Sequence, residues 1–274
     1  MALKFAKLKN GERRIRYYGW SPDLPDHRDL LYAVPPPAAA KASSSVVDLR
    51  PGCPPVYDQG QLGSCTGNAI AGAIEFDLLK QKLSDFPPSR LFIYYNERVI
   101  EHDVPMDNGA QIRDGIKSVA AQGVCSEKTW PYSDKNQDPN PCPKCAYAKK
   151  PSTKAYNEAK KHLIKSYQRV PQDLTDLKGC LAEGYPFVFG FTVYASFESQ
   201  AVANSGIVPM PAAGEKVVGG HAVLAVGYDD TKQQFIVRNS WGTNWGIAGY
   251  FMMPYAYLTD SNLADDLWTI RMVQ

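Results

Sequence analysis

Residues 59–82 read QGQLGSCTGNAIAGAIEFDLLKQK. Ile70, Ile74 and Leu78 recur at four-residue spacing with Ala69 and Ala73 beside them, which predicts an amphipathic helix over 65–82. Gly60 and Gly63 mark a turn ahead of it, so Cys65 falls in the first helical turn. There the orphan backbone N–H groups and the positive end of the helix dipole favour the thiolate. Against this stands the commoner fate of cysteine, a small apolar residue in a core.

Working outward, residues 89–101 and 110–122 read as further helices, the second stopped by Gly123. The polar, turn-rich stretch 133–152 reads as a loop. Beyond it the pattern changes. Residues 187–193, 222–228, 235–239 and 249–253 are short runs rich in β-branched and aromatic side chains, separated by Gly, Asp and Asn turns. Helices first and a mainly antiparallel sheet later predict an α+β protein with a helical and a sheet lobe.

Residues 1–46 differ from the rest. Six basic residues (Lys4, Lys7, Lys9, Arg13, Arg14 and Arg16) face one acid, Glu12, before the Pro-rich run AVPPPAAAKASSS. One reading is a solvated tail. The other is a pro-segment or cleft-covering arm, favoured by the aromatic and apolar clusters Tyr17-Tyr18-Trp20 and Leu30-Leu31-Tyr32, for which a linker has no use. A folded domain is expected over 47–274.

The chain has 274 residues and a formal net charge of +2, which gives no reason to expect nucleic acid or an acidic membrane as partner. With 44% hydrophobic and 21% charged residues it has an ordinary globular composition. No run of 18 apolar residues occurs, and no secretory signal is visible at the start; the cytoplasm is the default expectation, with export by another route left open. Nothing points to an obligate oligomer, so a monomer is expected. Of the six cysteines, Cys53, Cys125, Cys142 and Cys145 lie in turn or loop segments. Cys142-Pro-Lys-Cys145 is half of a zinc-type pattern without a second half, so a loop clip or another disulfide is favoured over a metal, and no cofactor is expected.

A thiolate needs a base. His27, His102 and His162 sit in polar surroundings, whereas His221 follows Gly219-Gly220 and opens the apolar run AVLAVGY. Asn239 ends another predicted strand and could accept the imidazole N–H, with Trp241 shielding that bond from water.

GQLGSCT around Cys65, GGHAVLAVGY around His221 and NSWGTNWG around Asn239 resemble the three signature blocks of papain-like cysteine peptidases. His and Asn follow in the family's order, somewhat beyond its usual spacing of roughly 130–150 residues. DNGAQIRDGIKSVAAQGV and TWPY resemble a fourth block. The resemblance covers about residues 47–255 and implies a two-lobe fold, with a helical left lobe, an antiparallel β-barrel-like right lobe and a cleft between them. It implies Cys65 as nucleophile, His221 as base, Asn239 as orienter and Gln59 as oxyanion donor. It further implies that Asn108, Gly109 and Ala110 line the cleft, and that Ile112 and Ala222 face the pocket for the second residue before the scissile bond. The expected partner is a peptide or protein. Thr66 stands where the family has Trp or Tyr, and Leu62 and Asp107 stand where it has a disulfide. A catalytically silent binding module of this fold, or an acyl-transferase or amidase using the same thioester, are the competing functions; the intact Cys65, His221, Asn239 and Gln59 argue against the first.

Overall fold

The computed structural model describes residues 18–36, 44–135 and 140–273, together with the backbone of two strands, β1 (Lys4–Leu8) and β2 (Gly11–Ile15). Those strands pair as an antiparallel hairpin, so the basic start of the chain contains structure where a tail was one expectation.

The helical side is built from α1 (Cys65–Lys80), α2 (Arg90–Ile100) and α3 (Ile112–Gln122). Ser89 caps α2 by accepting the Phe92 N–H at 3.1 Å, and Gly123 ends α3 at a φ of 81°, a conformation glycine adopts freely. The one-sided stripe expected for α1 is too narrow a reading. Every residue from Cys65 to Leu78 is buried, because α1 runs between α2 and α3 on one side and the sheet on the other. Its polar side chains are accommodated by partners: Thr66 donates to Glu97, Asn68 accepts from Arg90, and Tyr57 donates to Glu75.

The other side is an antiparallel sheet whose strand order is β4-β9-β5-β6-β7-β8. Its members are β4 (Ile164–Arg169), β5 (Phe187–Tyr194), β6 (Val217–Asp229), β7 (Gln234–Arg238), β8 (Tyr250–Pro254) and β9 (Ala264–Val273). A short strand, β3 (Val46–Asp48), adds to β6. Among the described residues the sheet does not close on itself. Three strands of this sheet were not expected, among them β4 and β9. β4 reads IKSYQR, too polar for a core strand, and lies at the sheet edge; β9 opens on Ala-Asp-Asp before its apolar half begins. His221 does not open a strand. β6 begins four residues earlier, and His221 pairs with Phe191 in its interior.

One core fills the sheet side, around Phe187, Phe189, Phe191, Phe197, Trp241 and Trp245. A second lies between the lobes, where Cys65, Ile70 and Ile74 of α1 meet Ile112 and Ile116 of α3, and Ala222 and Leu224 of β6. No described helix is long and apolar enough to cross a membrane.

Arg98 fixes the segment that leads into the cleft wall. Its fully buried guanidinium donates to the carbonyls of Tyr94, Val104, Met106 and Tyr147. Arg98→Met removes the donors and leaves several carbonyls without partners, each costing about 1–3 kcal/mol. The expected result is a loss of about 3 kcal/mol, read as a melting temperature lower by on the order of 10 °C. A shift under 2 °C contradicts this account of the segment.

Candidate active site

Cys65 is the first residue of α1, fully buried, and its Sγ accepts the Ala222 N–H of β6 at 3.3 Å. That bond crosses from one lobe to the other and brings the thiol beside His221, the neighbour of Ala222. His221 Nε2 lies 2.9 Å from Asn239 Oδ1. With Nε2 facing Asn239, Nδ1 is the ring nitrogen that can exchange a proton with a thiol. Trp241 stacks on the imidazole, with centroids 5.0 Å apart and an interplanar angle of 28°, and Phe191 meets it edge-on at 5.7 Å. Water is thereby kept from the His221–Asn239 contact.

Gln59 is buried beside this group. Its backbone N–H donates to Ser240 O, its Oε1 accepts the Ser240 hydroxyl at 2.6 Å, and its Nε2 donates to Leu62 O at 2.9 Å. One amide hydrogen is used at Leu62, and the second is available to a ligand. Tyr132, of the TWPY segment, holds the same turn by donating to Gln59 O and accepting from Ser64 Oγ, both at 2.6 Å.

Two departures from the family pattern have local replacements. Asp107 Oδ1 accepts from the Gly63 N–H at 3.0 Å and from the Tyr94 hydroxyl at 2.6 Å, and the Tyr94 oxygen in turn accepts the Gly109 N–H. This polar tie joins the segments that a disulfide would join, while Leu62 is buried against Tyr94 and Tyr147. At the other position, Thr66 donates to Glu97 at 2.6 Å, and burial pushes the Glu97 carboxyl up to about 8. Cys142 and Cys145 form a disulfide within their own loop, and Cys53, Cys125 and Cys180 are not bridged.

The residues expected to line the cleft are contacted by the chain's own N-terminal arm. Ala110 N–H donates to Gly19 O at 2.9 Å, and Ser21 N–H donates to Ala110 O at 3.1 Å, so the arm pairs with Ala110 in parallel. On the opposite wall Trp20 N–H donates to Gly220 O at 3.0 Å. The fit needs glycine on both sides: a Cβ on Gly19 would lie 1.5 Å from Gly63 O, and one on Gly109 would lie 2.3 Å from Gly19 O. Trp20 packs on the cluster that contains Ile112 and Ala222, lies against Gly190 and Gly220, and donates its indole N–H to Asp266 at 3.0 Å. Tyr18 stands edge-on to His221, its hydroxyl on Glu198. Asn108 is exposed, and its amide reaches Asp103.

Burial pushes the Cys65 thiol up to about 12, against the opposing pull of the Ala222, Gly19 and Thr66 N–H groups. Burial thus opposes the pull of the helix start toward the thiolate. Sequence reading did not find Asp107, Tyr94, Trp20 or Asp266 as parts of the site. Only the aromatic cluster around Tyr18 and Trp20 carried a signal, that the arm must dock somewhere.

Comparison with known proteins agrees with this geometry. Residues 43–267 match the model of the papain family cysteine protease. The chain is 43% identical to an uncharacterised peptidase C1-like protein of Acanthamoeba polyphaga mimivirus, over 94% of this chain and 88% of that one. It is 30% identical to chicken cathepsin K over 73% of its own length and 54% of that protein's. Among solved structures it superposes on xylellain, a cysteine protease from Xylella fastidiosa, with a TM-score of 0.89 and 47% identity over the whole of both chains. A thiol at the start of a buried helix, an imidazole across the cleft and a family match over most of the chain converge on one assignment: the chain belongs to the papain family of cysteine proteases.

Proposed function

We propose that the chain is an endopeptidase working through Cys65, His221 and Asn239, latent while its N-terminal arm, residues 1–46, lies across the cleft of a catalytic domain spanning 47–274. The observation that carries the reading is the arrangement of Cys65 Sγ on the Ala222 N–H, next to an imidazole whose Nε2 faces Asn239.

In the reaction His221 Nδ1 takes the thiol proton, and the sulfur attacks the peptide carbonyl carbon. The carbonyl electron pair moves to oxygen, where the Cys65 N–H and the second Gln59 amide hydrogen stabilise it. Losing one such donor typically costs on the order of 10²–10³ in kcat. As the tetrahedral species collapses, the C–N bond breaks and His221 returns the proton to the leaving amine. Water then attacks the thioester with His221 as base, and the C–S bond breaks to free Cys65. Asn239 keeps the ring in the orientation both steps need, and Trp241 keeps water from that contact. The Ala110 backbone that now pairs with Gly19 and Ser21 is the edge on which an extended substrate would align.

The arm reads as an inhibitor rather than a substrate because of the atom it presents. It is the Gly19 N–H that bears on the Cys65 sulfur, favouring its thiolate form, while the Gly19 carbonyl accepts the Ala110 N–H at 2.9 Å. Gly19→Ala cannot dock, since its Cβ would enter Gly63 O. The expected result is at least a ten-fold rise in the rate of hydrolysis of a fluorogenic peptide, abolished by a further Cys65→Ser. Equal rates for the parent and Gly19→Ala contradict the latency; activity that survives Cys65→Ser contradicts the mechanism.

The latch also titrates. Burial and the facing carboxylate of Asp23 push Asp266 up to about 7, and burial pushes Asp23 up as well; lifting the arm separates the two acids and returns water to them. A carboxyl whose pKa is higher docked than free favours docking most at low pH. That advantage is lost as pH rises from the ordinary carboxylate range through about 7. The rate ratio of Gly19→Ala to the parent should therefore be largest near pH 5 and smallest near pH 8. A ratio that stays flat or grows with pH rules the latch out.

A further inference from the structure

Beyond the cleft proper the arm buries two carboxylates against two arginines of the catalytic domain. Asp23, whose side chain is fully buried, accepts the Trp268 indole N–H through Oδ2 at 2.9 Å and the Arg113 backbone N–H through Oδ1 at 3.1 Å. Arg169 Nη1 and Arg113 Nε stand 3.7 Å and 4.0 Å from Asp23 Oδ2. Asp29 lies on the other side of the same guanidinium groups, with Oδ2 2.7 Å from Arg113 Nη2 and 3.7 Å from Arg169 Nη1.

The two arginines are not equally dependent on the arm. Arg169 Nη2 is paired within the domain, with Asp265 at 2.7 Å and Asp266 at 3.2 Å, which leaves its Nη1 directed at the arm. Arg113 is 5% exposed, and its side-chain hydrogen bonds go to the arm's Leu24 carbonyl and Asp29; its Nε has no hydrogen-bond partner among the described residues. Lifting the arm thus takes from Arg113 the acceptors it has here and opens to solvent a cation, an indole N–H and a backbone N–H that converge on one point. Burial and the facing Asp266 oppose ionisation of Asp23, whereas the contacts from Trp268, Arg113 and Arg169 favour its carboxylate form. Donors alone converge on the Asp23 oxygens, which suits a carboxylate and not an amide, whose NH₂ would face cations.

We propose that Arg113, Arg169 and Trp268 form a carboxylate-binding subsite of the cleft, filled by the arm's Asp23 in the latent protein and by an acidic side chain of the peptide substrate once the arm is displaced. The inference rests on the peptidase reading above. The arm sets the distance: Gly19 lies at the sulfur, Trp20 fills the pocket next to it, and Asp23 follows three residues further on, roughly 10 Å of extended chain. A substrate aligned on Ala110 would place its acid two to four residues beyond the one that fills the Trp20 pocket, on the side away from the scissile bond.

The test uses the full-length chain carrying Gly19→Ala and pairs of peptides that differ only in Asp or Asn at the second, third or fourth of those positions. At one of them the Asp peptide should be cleaved with kcat/KM about ten-fold higher, the difference lying in KM. Arg169→Gln, at a partly exposed side chain whose loss does not threaten the core as that of Arg113 does, should bring the ratio close to one. Equal kcat/KM within every pair, with cleavage intact, overturns the subsite and leaves the peptidase reading standing. A preference that survives Arg169→Gln also overturns it. Absence of cleavage of any peptide, together with no labelling of Cys65 by an epoxide inhibitor, overturns the peptidase reading and the subsite with it.

Discussion

The hydrogen bond from Ala222 N–H to Cys65 Sγ is the contact on which the arrangement depends. It ties the N-terminus of a helix enclosed by both lobes to the central strand of the sheet, and so fixes the distance between a thiol and an imidazole carried on different elements. Everything near it serves that placement. The core between the lobes holds α1, and the Phe191, Trp241 and Asn239 contacts hold the ring of His221. A site built on packed helix and strand, rather than on loops, keeps its geometry to the tolerance that chemistry requires.

The same rigidity accounts for the way a short arm fits across the site. Gly19 passes over the sulfur because Gly63 and Gly109 leave no side chain in its way, and Gly219 and Gly220 do the same for Tyr18 and Trp20 on the facing wall. The hydrogen bonds to Ala110 and Gly220 make the arm an added strand between the lobes. Further along, Asp23 and Asp29 anchor it on Arg113 and Arg169, and Tyr32 buries itself against the sheet core. Backbone pairing supplies the path; the acids and the aromatic rings fix the register.

Much of this was legible in the sequence where chemistry restricts the residue type. A cysteine at a helix start, a histidine after two glycines and an asparagine two residues before a tryptophan can be picked out because the chemistry proposed for them admits few other residue types. The helices and the apolar strands followed from periodicity. What could not be read depends on tertiary proximity. Gly19 looks like any glycine until Gly63 and Gly109 are seen to face it. Asp107 looks like a lost cysteine until Gly63 N–H and Tyr94 are found on its carboxylate. β4 is polar because it lies at the sheet edge, and Asp266, the buried acid of β9, is intelligible only with Arg169 and the arm beside it.

The measurement that bears most directly on this account is mass-spectrometric mapping of the adduct formed by an epoxide inhibitor of cysteine peptidases, in the parent chain and in Gly19→Ala. The account predicts modification at Cys65 alone, with Cys53, Cys125 and Cys180 untouched, and at least ten times faster in Gly19→Ala. Modification of another cysteine in place of Cys65, or of Cys65 at equal rates in the two proteins, would contradict it.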